Sequence, residues 1–205
     1  MSKEWIKQRK RDPYYRKAKE EGYRSRASYK LKEINDRVRL LKKGYHVLDL
    51  GAAPGGWSQV AKELVGPKGN VVAVDIKSME PVQGVEFIRC SIDDEELAGR
   101  VKEVCSEFDA VISDISPRLS GNRTLDRGRS LALNWSVMKL AVRVLRPGGG
   151  VLIKMFQGNE VEEIREGFGE MFGHFDRLKP ISSLKRSIEI FIAFRNYKGD
   201  AEDRN

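Results

Sequence analysis

Five short apolar runs, spaced by segments of helical or turn character, set the strongest limit on what this chain can fold into. HVLDL (46–50), NVVAVDI (70–76), VEFIRC (85–90), FDAVISD (108–114) and GVLIKMF (150–156) are rich in β-branched residues and nearly unbroken in hydrophobicity. A strand with one wet face alternates apolar and polar residues. Strands like these bury both faces, as in a parallel sheet with helices on each side. The segments near 57–65, 94–105, 130–145 and 160–172 carry helical patterns and supply those layers. DRLKPISS and EIFIAFRN come last with no helix between them, so an antiparallel pair closes one edge. With 205 residues of which 40% are hydrophobic, the chain can build one sizeable core but hardly two.

In an open parallel sheet, ligands bind beyond the carboxyl ends of the strands, where strand order reverses. The loops after Leu50, Ile76, Asp114 and Phe156 are therefore the places for chemistry. The first reads GAAPGGW (51–57). It lacks the Lys-Ser or Lys-Thr of a phosphate-cradling P-loop, and Ala53 stands where a dinucleotide fingerprint needs its second glycine. What remains is a tight turn in which Gly51, Gly55 and Gly56 let a ligand approach the backbone, with Asp49 before it and Asp75 ending the next run. Asp75 follows Gly51 by 24 residues, close to the spacing of about 20 at which an acid reaches ribose hydroxyls in such folds. A nucleoside without phosphates suits this loop. S-adenosylmethionine is one, and its sulfonium and ammonium charges suit Asp49, Asp75 and Asp114. A helix-capping turn of any doubly wound fold is the plainer reading of the glycines alone; Pro54 and Trp57 make the loop more particular.

The net charge of +8 is unevenly placed: residues 1–43 hold 16 of the 38 Lys and Arg but only 6 of the 30 Asp and Glu. Tyr14, Tyr15, Tyr23 and Tyr29 are interleaved with Arg16, Lys17, Lys19, Arg24, Arg26 and Lys30, a mixture that suits a polyanion with stackable bases. A solvated charged helix is the plainer reading. A second cluster, Arg118, Arg123, Arg127 and Arg129 in SPRLSGNRTLDRGRS (116–130), reads as a contact loop. The N-terminal MSKEWIKQRKRD has no apolar core for a secretory signal, and no run reaches the ~18 apolar residues of a membrane span. Cys90 and Cys105 have no metal or redox spacing, and His46 and His174 no metal-like partners, so no metal is expected and the thiols read as reduced in the cytoplasm.

VLDLGAAPGGWSQV resembles the cofactor loop of the FtsJ/RrmJ family of RNA ribose 2′-O-methyltransferases of large-subunit ribosomal RNA. Three further stretches agree with that likeness. DPYYRKAKEEGYRSRASYKLKEI resembles the family's RNA-binding entry, VISDISPRLSG its fourth-strand motif, and LIKMFQG with RSIEIFIA its later catalytic strands. The likeness runs from about residue 12 to 196. It implies an α/β fold of the Rossmann-like S-adenosylmethionine-dependent methyltransferase type, with a mostly parallel seven-stranded sheet and an antiparallel C-terminal edge. It divides the chain into a basic RNA-binding segment packed on the domain (1–43), the methyltransferase domain (44–197) and a disordered tail (198–205).

The resemblance also implies a catalytic Lys-Asp-Lys-Glu tetrad at Lys30, Asp114, Lys154 and Glu189, and cofactor contacts from Asp49, Gly51, Pro54, Gly55, Gly56, Trp57, Asp75, Asp93 and Asp114. Where the family often has an aspartate after its third strand, this chain has FIRCSIDD. Ser91 fills that position, and Asp93 is the expected contact to the adenine. Such a set has a chemical purpose, because a ribose 2′-hydroxyl is a poor nucleophile that must lose its proton as it attacks a sulfonium methyl. Lys154 is the expected base: desolvation and a neighbouring cation favour a neutral amine, whereas opposite charges favour the ammonium. Singly, each residue has an ordinary alternative. Lys30 reads as surface charge, Glu189 as a partner of Lys185 or Arg186, and Asp114 as a strand-end turn. A lysine inside VLIKMF is harder to place without a partner or a function. The implied substrate is a uridine of large-subunit ribosomal RNA, free or within the subunit, modified by a monomer. A transfer RNA anticodon loop, a non-catalytic ribosome-assembly factor and a small-molecule methyltransferase stay open as alternatives.

Overall fold

The computed structural model describes residues 12–184 and 187–199. Strands β1 (His46–Leu50), β2 (Asn70–Asp75), β3 (Val85–Arg89), β4 (Phe108–Ser113), β5 (Leu145–Phe156), β6 (Phe172–Leu178) and β7 (Glu189–Tyr197) form a single sheet in the order β3-β2-β1-β4-β5-β7-β6. All neighbours pair in parallel except that β7 runs antiparallel to both β5 and β6. The seven-stranded Rossmann-like methyltransferase fold with an antiparallel edge is therefore present.

Helices α2 (Ala27–Val38) and α3 (Gly56–Val65) cover one face, where Leu31, Ile34, Trp57 and Val60 pack on Val47, Val71, Ile112, Leu152 and Phe191. The other face carries α4 (Leu97–Val104), α5 (Arg123–Val144) and α6 (Glu160–Phe168) over Leu48, Leu50, Val111, Ile153 and Phe194. Helix α1 (Pro13–Glu20) precedes them, capped by Asp12, whose carboxylate accepts from the N–H groups of Tyr14 and Tyr15. Because side chains alternate along a strand, Asp49, Asp75, Lys154 and Glu189 fall on the α2/α3 face with Val47, Val71, Leu152 and Phe191. Strand order reverses between β1 and β4, and their carboxyl ends open the crevice.

Several boundaries differ from the sequence expectation for identifiable reasons. The helix expected near 130–145 begins at Arg123, because the Asn122 side chain accepts from the N–H groups of Thr124 and Leu125. The Asp126 carboxylate then draws the N–H groups of Ser120 and Gly121 onto the first turn, at 2.7 and 3.2 Å. Arg123, Arg127 and Arg129 accordingly ride on α5, and only Arg118 remains in the loop. The helix expected to reach 172 stops at Phe168 and is followed by one 3-10 turn, Gly169–Met171, so that β6 starts at Phe172 and KPISS is a turn instead of strand. Lys198, assigned to the tail, is tied down by an N–H bond to the Met171 carbonyl at 2.9 Å, while 1–11, 185–186 and 200–205 lie outside the described residues.

Two bonds fix α2 to the start of α3: the Trp57 indole N–H donates to the Ala27 carbonyl at 2.9 Å and the buried Ser28 hydroxyl donates to the Gly56 carbonyl at 3.0 Å. Trp57 is only 3% exposed and its ring lies 5.7 Å from that of Phe191. Trp57→Ala is expected to lower unfolding free energy by about 3–5 kcal/mol in urea titration; a loss within the ±0.5 kcal/mol typical of surface positions would contradict this anchoring role.

Candidate active site

Anchoring α2 at Ala27 and Ser28 sets Lys30, one turn further, above the start of β7. There its Nζ is 3.0 Å from Glu189 Oε2 and 5.5 Å from the centre of the Phe191 ring. Register does the rest. Lys154 pairs with Phe191 and Phe156 with Glu189, so Lys154 and Glu189 are diagonal neighbours on one face. Ser113 pairs with Ile153, which sets Asp114 beside Lys154. Lys154 Nζ donates to the Asp114 carbonyl at 2.7 Å and is 2.9 Å from Asp114 Oδ1, an ion pair whose alignment falls short of a hydrogen bond. The structure thus brings together all four residues of the expected tetrad, with Lys30 8% and Lys154 6% exposed. Burial acts to raise the Glu189 carboxyl, but the charges of Lys30 and then Lys154, with hydrogen bonds from Lys30 and Ser187, outweigh it and hold the group below its ordinary value.

Residues of the α5 side complete this arrangement, and the sequence offered no pattern for them. Asn134, 1% exposed, donates from Nδ2 to the Lys154 carbonyl at 3.1 Å and to the Ser130 carbonyl at 2.9 Å, fixing the backbone that carries Lys154. Near the entrance, Arg26 pairs with Asp12 and donates to the Ser182 carbonyl, tying α2 to the segment before β7. The expected partners Lys185 and Arg186 lie outside the described residues.

A cleft of about 430 Å³ opens at the reversal point beside Asp114. Gly51, Ala53, Asp75, Asp93 and Asp114 line it together with the apolar Cys90, Ile92, Ile115 and Leu133. Gly51 has φ +74°, and a Cβ there would lie 2.8 Å from Ile115 Cβ, so the loops after β1 and β4 can meet only at a glycine. Asp75 shapes the turn by accepting from the N–H groups of Ala53 and Lys77 at 2.9 and 2.8 Å. Asp93 and Ser91 both line the cleft, and Asp93 Oδ1 accepts from Ser136 at 2.7 Å.

The other expected contacts, Pro54, Gly55, Gly56, Trp57 and Asp49, are not among the residues that line this cleft. Pro54 lies on the far side with Arg24 and Met79. A Cβ on Gly56 would lie 2.5 Å from Ser25 Oγ, and Trp57 is in the core, so these two hold α2 and do not line the cleft. Gly55, φ +103°, faces Arg24. Asp49 is 1% exposed beneath the loop, where Oδ2 accepts from Ser58 at 2.6 Å and Oδ1 is buried with no hydrogen-bond partner. The tyrosines expected to stack on bases are partly used internally: Tyr29 is 6% exposed and packs against Tyr14 and Tyr23. Among the described residues no group of acids, cysteines and histidines is placed to hold a metal, and Cys90 and Cys105 are free thiols.

The profile of the FtsJ-like methyltransferases matches residues 23–197, a span that contains all four clustered residues and the cleft. The chain belongs to that family. It is 47% identical over 202 residues to ribosomal RNA large subunit methyltransferase E of Methanothermobacter thermautotrophicus, covering 97% of this chain and 96% of that protein. To the enzyme of the same name from Pseudomonas aeruginosa it is 42% identical over 201 residues, covering 97% of each. A crystal structure from Plasmodium falciparum described as a ribosomal RNA methyltransferase superposes with a TM-score of 0.79 at 29% identity, covering 87% of this chain and 100% of that one.

FtsJ-like methyltransferases use S-adenosyl-L-methionine. The cleft suits it in size and in chemistry: its volume is within the ~300–1,000 Å³ of small-molecule sites, apolar residues wall one side, and three carboxylates face a ligand bearing positive charge.

Burial, with the charges of Asp114 and Asp75, lifts the Asp49 carboxyl to about 7 against the pull of the Ser58 hydroxyl. The folded value exceeds the unfolded value of ~3.9, so the folded state holds the proton more tightly, and stability declines as pH rises between those two values and is level above them. Asp49→Asn keeps an acceptor for Ser58 and removes the charge. Its stability relative to the parent chain should rise from about pH 4 to about pH 7 in urea unfolding and then level; a difference independent of pH would contradict the shifted Asp49.

Proposed function

We propose that this chain transfers a methyl group from S-adenosyl-L-methionine to the ribose 2′-hydroxyl of a uridine in large-subunit ribosomal RNA. The observation that carries the reading is the pairing of two buried lysines with two acids at the strand ends next to the cleft. When bound, the cofactor supplies an electrophilic methyl on a sulfonium. The 2′-oxygen forms a bond to that methyl carbon as the carbon–sulfur bond breaks, and the hydroxyl proton passes to Lys154, whose resting ammonium has first released a proton to solvent. Lys154 donates to the Asp114 carbonyl and is ion-paired with Asp114 Oδ1. Once deprotonated, the amine keeps an N–H for that carbonyl and has a lone pair for the substrate. Lys30 takes up the charge of Glu189 at 3.0 Å and adds positive potential beside the leaving proton.

Asp75 and Asp93 are assigned to the adenosine and Asp114 to the reacting end, with Asp49 acting from beneath the loop. The basic segment to residue 43, with Arg118 and the first turns of α5, is assigned to the RNA, its Arg26 and Lys30 on the side of the acceptor nucleotide, and residues 44–197 to methyl transfer. The free thiols agree with a reducing cytoplasm, and among the described residues no helix is long and apolar enough to cross a membrane. A monomer suffices for this site, since one chain supplies all its residues.

Undermethylated large ribosomal subunits incubated with radiolabelled cofactor should gain label on the 2′-oxygen of one uridine, located by nuclease mapping. Label found only on transfer RNA would keep the chemistry and overturn the substrate. Cofactor binding without transfer to any RNA would favour an assembly factor instead.

A further inference from the structure

The basic residues of the N-terminal segment do not all gather at the cleft. Helix α2 carries Lys30 at the active end and continues to Arg37, with Arg39 and Lys42 just beyond it. Nine residues separate Lys30 from Arg39 in the chain, which at 1.5 Å per helical residue is roughly 13 Å along the axis. There, beside the entry to β1 and thus at the amino ends of the parallel strands, lies a second cleft of about 470 Å³.

Four cations line this cleft: Arg37 near the end of α2, Arg39 just beyond it, Lys42 in the turn before β1, and Arg195 of β7, which is paired with Asp176, with His174 of β6 alongside. Its acid, Asp109, is 5% exposed and already engaged by Arg146 and by the N–H of His46. Among the described residues no carboxylate is within ion-pair distance of Arg37, Arg39 or Lys42, all of which are exposed. The backbone gives a second, independent sign. Arg39 and Asn196 are the two non-glycine residues with positive φ among the described residues, at 50° and 60°, and both line this cleft. A helix end in that conformation usually takes glycine. Here an arginine takes the position, held by buried Asn35, which bonds both the N–H and the carbonyl of Leu41 at 2.7 and 3.1 Å. Conformational strain retained in this way gathers at binding surfaces.

We propose that this cleft is a second contact surface for RNA phosphates, engaged by a part of the RNA remote from the nucleotide being methylated. The inference rests on the ribosomal RNA reading above. It implies that the protein grips a folded RNA at both ends of its sheet, so that a short hairpin carrying the acceptor nucleotide reaches only one of the two surfaces.

Binding without turnover tests this. Arg37→Ala/Lys42→Ala, both at exposed positions, is compared with Lys102→Ala/Lys139→Ala, an equal loss of exposed charge away from either cleft. On protein-free large-subunit RNA, the first variant should bind more weakly, and its log–log salt dependence should be shallower by about 2, roughly 1 for each side chain removed. On the acceptor hairpin it should match the parent chain. No change on the long RNA would overturn the proposal, as would an equal change in the Lys102/Lys139 variant or on the hairpin. A loss seen with intact subunits but not with protein-free RNA would also overturn it, by pointing to a protein partner. Failure of the parent chain to methylate any RNA would defeat the ribosomal reading separately, because the binding slopes do not depend on turnover.

Discussion

Two ammonium groups lie at the carboxyl end of this sheet, each less than a tenth exposed, and the surrounding structure is arranged to keep both. A buried charge stripped of its partner costs roughly 3–5 kcal/mol, so Lys30 and Lys154 can stay only where acids meet them. Glu189 meets one at 3.0 Å and Asp114 the other at 2.9 Å. Those acids arrive by two different routes. Asp114 comes from a parallel neighbour in register with β5, and Glu189 from an antiparallel neighbour whose reversal brings the start of β7 back to the tip of β5. The antiparallel strand is therefore a condition of the charge balance as well as an edge of the sheet.

The GAAPGGW loop serves this balance indirectly. Its first half lines the cleft: Gly51 allows the loops after β1 and β4 to meet. Its second half turns away, and Gly56 and Trp57 clamp the start of α2 through Ser28 and Ala27. Since Lys30 follows one turn later, the same seven residues that shape the cofactor side also set the height of a lysine on the substrate side. Asn134 plays the matching part beneath β5, bonding the carbonyl of the other lysine.

Much of this was legible in the sequence. The unbroken apolar runs specified a parallel sheet, the absence of a helix before EIFIAFRN specified the antiparallel strand, and VLIKMF exposed Lys154 as a charge in need of partners. The family resemblance supplied the other three residues, and the structure brings all four together. What the sequence hid was direction. Periodicity does not tell whether Trp57 looks into a cleft or into the core, nor that Asn122 and Asp126 start α5 early enough to lift three arginines out of a loop. The tyrosines of the basic segment carried the same ambiguity, because a ring that can stack on a base can equally pack on another ring.

The account stands on Lys154 as the group that receives the hydroxyl proton. Single-turnover methyl transfer by Lys154→Ala, with cofactor affinity measured separately by calorimetry, tests that most directly. A rate lowered by about 10²–10⁴ with cofactor affinity unchanged is the predicted result, whereas a transfer rate equal to that of the parent chain would contradict it.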